Sequence, residues 1–126
     1  MLRATVSLLV AASIAAVVFL VPASAMTTPK LVGTVGPGYT IVLKKGTTKV
    51  KTLKAGKYTF VVADKSPIHN FTLEREKPTK PHLEKVITAT VFTGTKTLVW
   101  TLKPGSWRAY CSNHEAQIHL DFKVIS

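Results

Sequence analysis

Hydrophobic and polar positions alternate with a period of two along most of this chain. The clearest run is Lys57-Tyr58-Thr59-Phe60-Val61-Val62-Ala63, which puts Tyr58, Phe60 and Val62 on one face of a strand. Shorter runs of the same kind span Tyr39–Leu43, Thr47–Leu53, Val86–Phe92, Lys96–Leu102 and Ser106–Cys111. His69–Glu74 places His69, Phe71 and Leu73 on one face, and Leu120–Ile125 does the same for Leu120, Phe122 and Val124. Turn residues separate the runs: Lys44-Lys45-Gly46, Lys54-Ala55-Gly56, Gly94 and Lys103-Pro104-Gly105. Leu31–Gly38 holds Gly33, Gly36, Pro37 and Gly38 and reads as a broken segment. Arg75–Glu84, polar and carrying Pro78 and Pro81, has a length that suits a crossover between sheets rather than a tight hairpin. The pattern predicts about eight short strands and no helix, an all-β Greek-key sandwich. Thr52-Leu53-Lys54-Ala55-Gly56-Lys57-Tyr58 is echoed by Thr101-Leu102-Lys103-Pro104-Gly105-Ser106-Trp107, which predicts two equivalent corners, one on each sheet.

Residues 1–25 break this pattern. Arg3 supplies a short positive region, Leu8–Val21 an apolar core, and Ala23-Ser24-Ala25 a small-residue cleavage site. These are the features of a secretory leader, and the apolar run is short for a membrane span. The reading is a signal peptide over residues 1–25 and one domain over residues 26–126, exported to a periplasm or the exterior, a monomer with no stable membrane insertion after cleavage. A domain of this size buries on the order of 60–70% of the surface its unfolded chain exposes.

The formal charge is +11, or +10 once Arg3 leaves with the leader, and fourteen lysines dominate it. On strands and edges lysine blunts edge-to-edge pairing. The same charge can steer the protein to an acidic partner. Neither a binding motif nor aromatics interleaved with basic residues are present, so nucleic acid is excluded as a partner.

Cys111 is the single cysteine. An exported chain with one cysteine holds a free thiol, an intermolecular bond or a metal ligand. It lies in Tyr110-Cys111-Ser112-Asn113-His114, with His119 close by, and a further histidine stands in Ser66-Pro67-Ile68-His69-Asn70-Phe71. One thiolate and two imidazoles suit a mononuclear electron-transfer copper site, provided the fold brings His69 to Cys111 and His114. His82 in its proline-flanked loop reads as exposed, and Trp100, Trp107 and Tyr110 as packing residues. The chain shows no second metal cluster and no paired carboxylates of an enzyme, so the reading is not an enzyme.

These motifs, with Gly36-Pro37-Gly38-Tyr39 and Leu53–Phe60, resemble the plastocyanin/azurin (cupredoxin) family over nearly all of residues 26–126. The resemblance implies one copper ion cycling between Cu(I) and Cu(II) on His69, Cys111 and His114. It implies that Asn70 ties the two ligand loops together and supports the sulfur. It also implies a type 1 carrier of single electrons between exported partners, with His114 as the exit and an acidic redox partner protein. The family's weak axial Met falls here on Ile118, which cannot coordinate. Gln117, His119 or the Ile68 carbonyl are the remaining axial candidates, and a three-coordinate site under an apolar Ile118 is the favoured version. Asn113 stands where the family often has Pro. The alternative functions are a copper-delivery module without a redox partner, and a binding module that has lost its metal.

Overall fold

The computed structural model of the protein describes residue 13, residues 15–19 and residues 27–126. Residues 13 and 15–19 are exposed and belong to no strand or helix; the rest of the expected leader, including Arg3 and Ala23-Ser24-Ala25, lies outside the described residues. Among the described residues no helix is long and apolar enough to cross a membrane.

The strands in chain order are β1 (Lys30–Val35), β2 (Ile41–Lys45), β3 (Thr48–Lys49), β4 (Thr52–Lys54), β5 (Gly56–Asp64), β6 (Phe71–Lys77), β7 (Glu84–Thr88), β8 (Gly94–Leu102), β9 (Gly105–Tyr110) and β10 (His119–Ile125). They form two five-stranded sheets, one ordered β3-β2-β1-β5-β8 and the other β4-β10-β9-β6-β7. The β1–β5 and β4–β10 pairs are parallel and the other pairs antiparallel. The alternation read from the sequence sets the inner faces: Tyr58, Phe60 and Val62 from one sheet meet Phe71, Leu73, Trp107, Phe122 and Val124 from the other in a single core. The all-β sandwich is as expected.

Three local expectations are corrected. The first concerns β1, which runs into the segment read as broken and, with the split of Thr47–Leu53, brings the strands to ten rather than about eight. Gly33 does not end this strand. A Cβ there would lie 2.8 Å from Phe71 Cζ, so the ring from the facing sheet fills the space a side chain would need. In the second, Thr47–Leu53 is not one strand but two, β3 and β4, which belong to opposite sheets with buried Val50 between them. In the third, the connection after Arg75 is no crossover: β6 runs on to Lys77 and pairs antiparallel with β7 in its own sheet. Arg75 holds this wide hairpin, since its backbone N–H donates to the Leu83 carbonyl (2.9 Å) and its guanidinium to the Pro81 carbonyl (3.1 Å), and the guanidinium also reaches the Pro104 carbonyl (3.3 Å) in the corner between β8 and β9. A buried arginine thus does the work of a tight turn.

The repeated heptapeptide marks two matching corners. One carries the chain from β4 into β5 and the other from β8 into β9, so each crosses between the sheets. Gly56 and Gly105 adopt φ of 153° and 150°. In each corner a ring donates to the lysine carbonyl four residues back: Tyr58 Oη–H to Lys54 O (2.6 Å) and Trp107 Nε1–H to Lys103 O (2.9 Å). A Cβ at position 105 would also collide with the Lys77 carbonyl, so glycine is required there on two counts.

Candidate metal centre

His69 sits at the end of the loop between β5 and β6. The loop is stiffened from within: Ser66 N–H donates to Asp64 Oδ1 (3.0 Å) and Ile68 N–H to Ser66 Oγ (3.3 Å). Lys65 N–H ties it to the Val35 carbonyl (2.9 Å) at the end of β1. Cys111 follows β9 directly. Two linked turns then return the chain to β10. His114 N–H donates to Cys111 O (3.1 Å), Gln117 and Ile118 N–H to His114 O (3.0 and 2.8 Å), and Cys111 N–H to Ile118 O (3.1 Å). The spacing of Cys111 and His114 therefore spans one hydrogen-bonded turn, which aims both side chains to the same end of the sandwich.

At that end His69, Cys111 and His114 converge. The two Nδ1 atoms are 3.2 Å apart, and Cys111 Sγ is 3.8 Å from each. The centre of a triangle with these sides lies about 2.1 Å from every corner. First-row metals bind imidazole nitrogen at about 2.0–2.1 Å and thiolate sulfur at about 2.3 Å, so the donor set fits such an ion with little movement. Cys111 is 0% and His69 1% exposed, while His114 is half-buried.

Asn70 binds the two ligand loops together. Its backbone N–H points at Cys111 Sγ (3.4 Å). Its side-chain amide donates to Ser112 Oγ (2.7 Å) and Thr90 Oγ1 (3.3 Å), and its Oδ1 accepts from Ser112 N–H (3.0 Å) and Thr72 Oγ1 (3.1 Å). Thr90 also accepts from Asn113 Nδ2 (2.9 Å), which gives that residue a role in the turn. Replacing Asn70 by Ala frees both loops and leaves buried donors without partners. Copper affinity is expected to fall roughly 10- to 100-fold, as for other residues that orient metal ligands, measured by competition with a chelator.

The axial candidates separate. Ile118 is fully buried in the core cluster that also contains Cys111. Gln117 and His119 are exposed, and His119 Nδ1 is engaged by the Glu115 carbonyl at 2.7 Å. Tyr110 points to the outer face, as its position in the strand implies, but it does more than pack: its hydroxyl donates to Glu74 Oε2 (2.9 Å). Burial first, then this bond to the carboxylate, pushes the Tyr110 phenol far above its ordinary range, so it stays neutral beside the site. His82 is exposed as expected. Its two ring nitrogens face separate carboxylates, Glu74 (3.7 Å) and Glu84 (3.2 Å), which stand opposite one another on β6 and β7.

One residue at the centre escaped the sequence reading. The Tyr39 ring lies 5.1 Å from that of His69 and 5.2 Å from that of His114. The pattern showed it only as the first residue of a strand, and its neighbours are remote in the chain.

No protein-family model matches the sequence, and no curated protein matches it. Solved structures do. A structure of the copper protein rusticyanin aligns at TM-score 0.52 and 14% identity, covering 76% of each chain. Reduced rusticyanin aligns at TM-score 0.51 and 14% identity, covering 76% of this chain and 78% of its own. A multi-copper oxidase from Pseudomonas thermotolerans aligns at TM-score 0.42 and 15% identity over 78% of this chain and 30% of the oxidase, a likeness too loose to bear on function. At this identity the rusticyanin alignments establish the fold: the chain is a cupredoxin-like sandwich.

Proposed function

We propose that this cupredoxin-like protein holds one copper ion on His69, Cys111 and His114 and carries single electrons between exported partners. The observation that carries this reading is the convergence of two Nδ1 atoms and one thiol sulfur on a point that a metal ion fits. Among the described residues no fourth histidine, cysteine or carboxylate joins the group. Structural zinc sites take four such ligands, whereas two imidazoles and a thiolate in a trigonal set suit copper. Bound copper supplies a one-electron Cu(I)/Cu(II) couple. The protein's part is to keep the donors in one place in both states. The Asn70 hydrogen bonds, the linked turns of the Cys111–Ile118 loop and the fully buried sulfur all serve that end.

His114, the one half-buried ligand, is the proposed port for the electron. Five of the six acidic residues, Glu74, Glu76, Glu84, Glu115 and Asp121, lie on or against the outer face of the β6-containing sheet. The lysines dominate elsewhere, which supports docking to an acidic redox partner away from that face. Such docking weakens with salt, as a fall in association rate between low and physiological ionic strength would show.

Ile118 is proposed to leave the axial position without a donor. Ile118→Met then adds a weak thioether ligand that favours Cu(II), and the reduction potential is expected to fall. Redox titration of both proteins checks this; a variant potential equal to or above that of the natural protein removes the three-coordinate reading. The functional test itself is addition of Cu(II) to the protein with a visible absorption spectrum. An intense thiolate-to-copper band supports the carrier. Weak, readily exchanged copper without that band favours a delivery module instead.

A further inference from the structure

Among the described residues the proposed centre gathers three histidine and cysteine donors and no fourth such donor, yet it is not left bare. The loop between β1 and β2 carries Tyr39 onto it. The three rings of Tyr39, His69 and His114 pack mutually: 5.1 Å and 60° for Tyr39–His69, 5.2 Å and 86° for Tyr39–His114, 4.9 Å and 89° for His69–His114. Tilted and edge-to-face contacts at these distances are the favourable arrangements for aromatic pairs. Tyr39 is 59% exposed while His69 is 1% exposed, so in this contact the tyrosine is the solvent-facing partner and the imidazole the buried one.

The loop is built to hold the ring there. Gly36 N–H donates to the Thr40 carbonyl (2.9 Å) and Thr40 Oγ1 to the Pro37 carbonyl (3.1 Å), closing a turn that Pro37 stiffens. Gly36 has φ of 70°, and a Cβ there would lie 2.9 Å from Ser66 Cβ. The turn therefore rests directly against the loop that carries His69. An exposed tyrosine with nothing to do would not need a turn seated so closely on a ligand loop.

We propose that Tyr39 is a positioning residue and cover of the metal centre: its ring holds the His69 and His114 imidazoles in their mutual orientation and seals their solvent side, taking over part of the restraint a fourth ligand would give. This rests on the copper reading above. The role belongs to the ring and not the hydroxyl, so Tyr39→Phe keeps it and Tyr39→Ala loses it. Neither substitution touches the bonds that close the turn, which use the backbone and Thr40.

Two measurements on the full chain test this. In the metal-free protein, the ring-proton resonances of His69 and His114 are shifted by the Tyr39 ring current; Tyr39→Ala is expected to move both, with Tyr39→Phe unchanged. In the copper-loaded protein, transfer of copper to an excess of a strong chelator is expected to run roughly tenfold faster in Tyr39→Ala than in the natural protein or Tyr39→Phe, the scale set by two aromatic contacts. Histidine signals and a transfer rate that do not respond to Tyr39→Ala overturn the cover while leaving the copper site standing. A natural protein that develops no thiolate-to-copper band removes the copper reading, and this inference falls with it.

Discussion

A Cys111→Ser protein is expected to develop no visible thiolate-to-copper band and to keep its fold. Serine is close to cysteine in size, and its hydroxyl does not ionise near neutral pH, so it offers copper neither a thiolate nor the charge transfer that colours one. Cys111 is fully buried between β9 and the ligand loop, where its backbone bonds, not its sulfur, hold the turn: Cys111 N–H to Ile118 O and His114 N–H to Cys111 O. The sulfur's one backbone contact, from Asn70 N–H, passes to an oxygen acceptor. Metal-free Cys111→Ser should therefore melt close to the natural protein, while copper no longer raises its melting temperature, the stabilisation that a ligand bound only to the folded state provides. Absorption spectra and thermal melts with and without Cu(II) check both halves. A band that survives the substitution would falsify the His69–Cys111–His114 assignment.

The second large effect concerns the core. Trp107→Ala should destabilise the domain by about 3–5 kcal/mol, the usual cost of emptying a large buried aromatic site. Trp107 is 0% exposed and links the two sheets. Its ring meets Trp100 of the facing sheet edge to face (5.3 Å, 84°) and stacks on Phe122 of its own (6.4 Å, 19°), and its Nε1–H holds the Lys103 carbonyl at the corner into β9. The substitution thus removes apolar burial, two aromatic contacts and one hydrogen bond at once. A domain of this size has roughly 5–15 kcal/mol in all, so at least about a fifth of the stability is at stake. The melting temperature should drop by more than about 10 °C. A loss below about 1 kcal/mol in denaturant unfolding would mean that the sheets are held together elsewhere. Cys111 lies only four positions along the chain from Trp107, so a loosened core should also loosen the site.

The sites of these two effects differ in how openly the chain announces them. The period of two is enough to place Trp107 and Phe122 inward, because alternation is a local consequence of strand geometry. The repeated Leu-Lys-X-Gly corners were legible because the motif is local: glycine takes φ near 150° in both, and in both the ring that follows caps the carbonyl four residues back. The ligand types were legible too, since a lone cysteine with a histidine one turn away is the donor pattern of a metal loop. What misled the reading was context. Gly33 reads as a breaker by itself and is a central strand residue only because the Phe71 ring occupies its missing side chain. The Arg75–Glu84 segment reads as a crossover by length and is a hairpin because Arg75 reaches two carbonyls across it, those of Pro81 and Leu83.

The sequence by itself thus determined the all-β class, the inward faces of most strands, the two corners and the residue types of the candidate centre, because each follows from near neighbours in the chain. Only the tertiary structure decided which strands share a sheet, that His69 meets Cys111 and His114 within bonding reach of one ion, that Ile118 is buried with Cys111 while His119 is turned to a carbonyl, and that Tyr39 covers the two imidazoles. Those facts depend on the antiparallel β6–β9 pairing, which sets Thr72 opposite Tyr110, and on the β1–β2 loop reaching over from the facing sheet, and contacts between remote segments leave no periodic trace in the sequence.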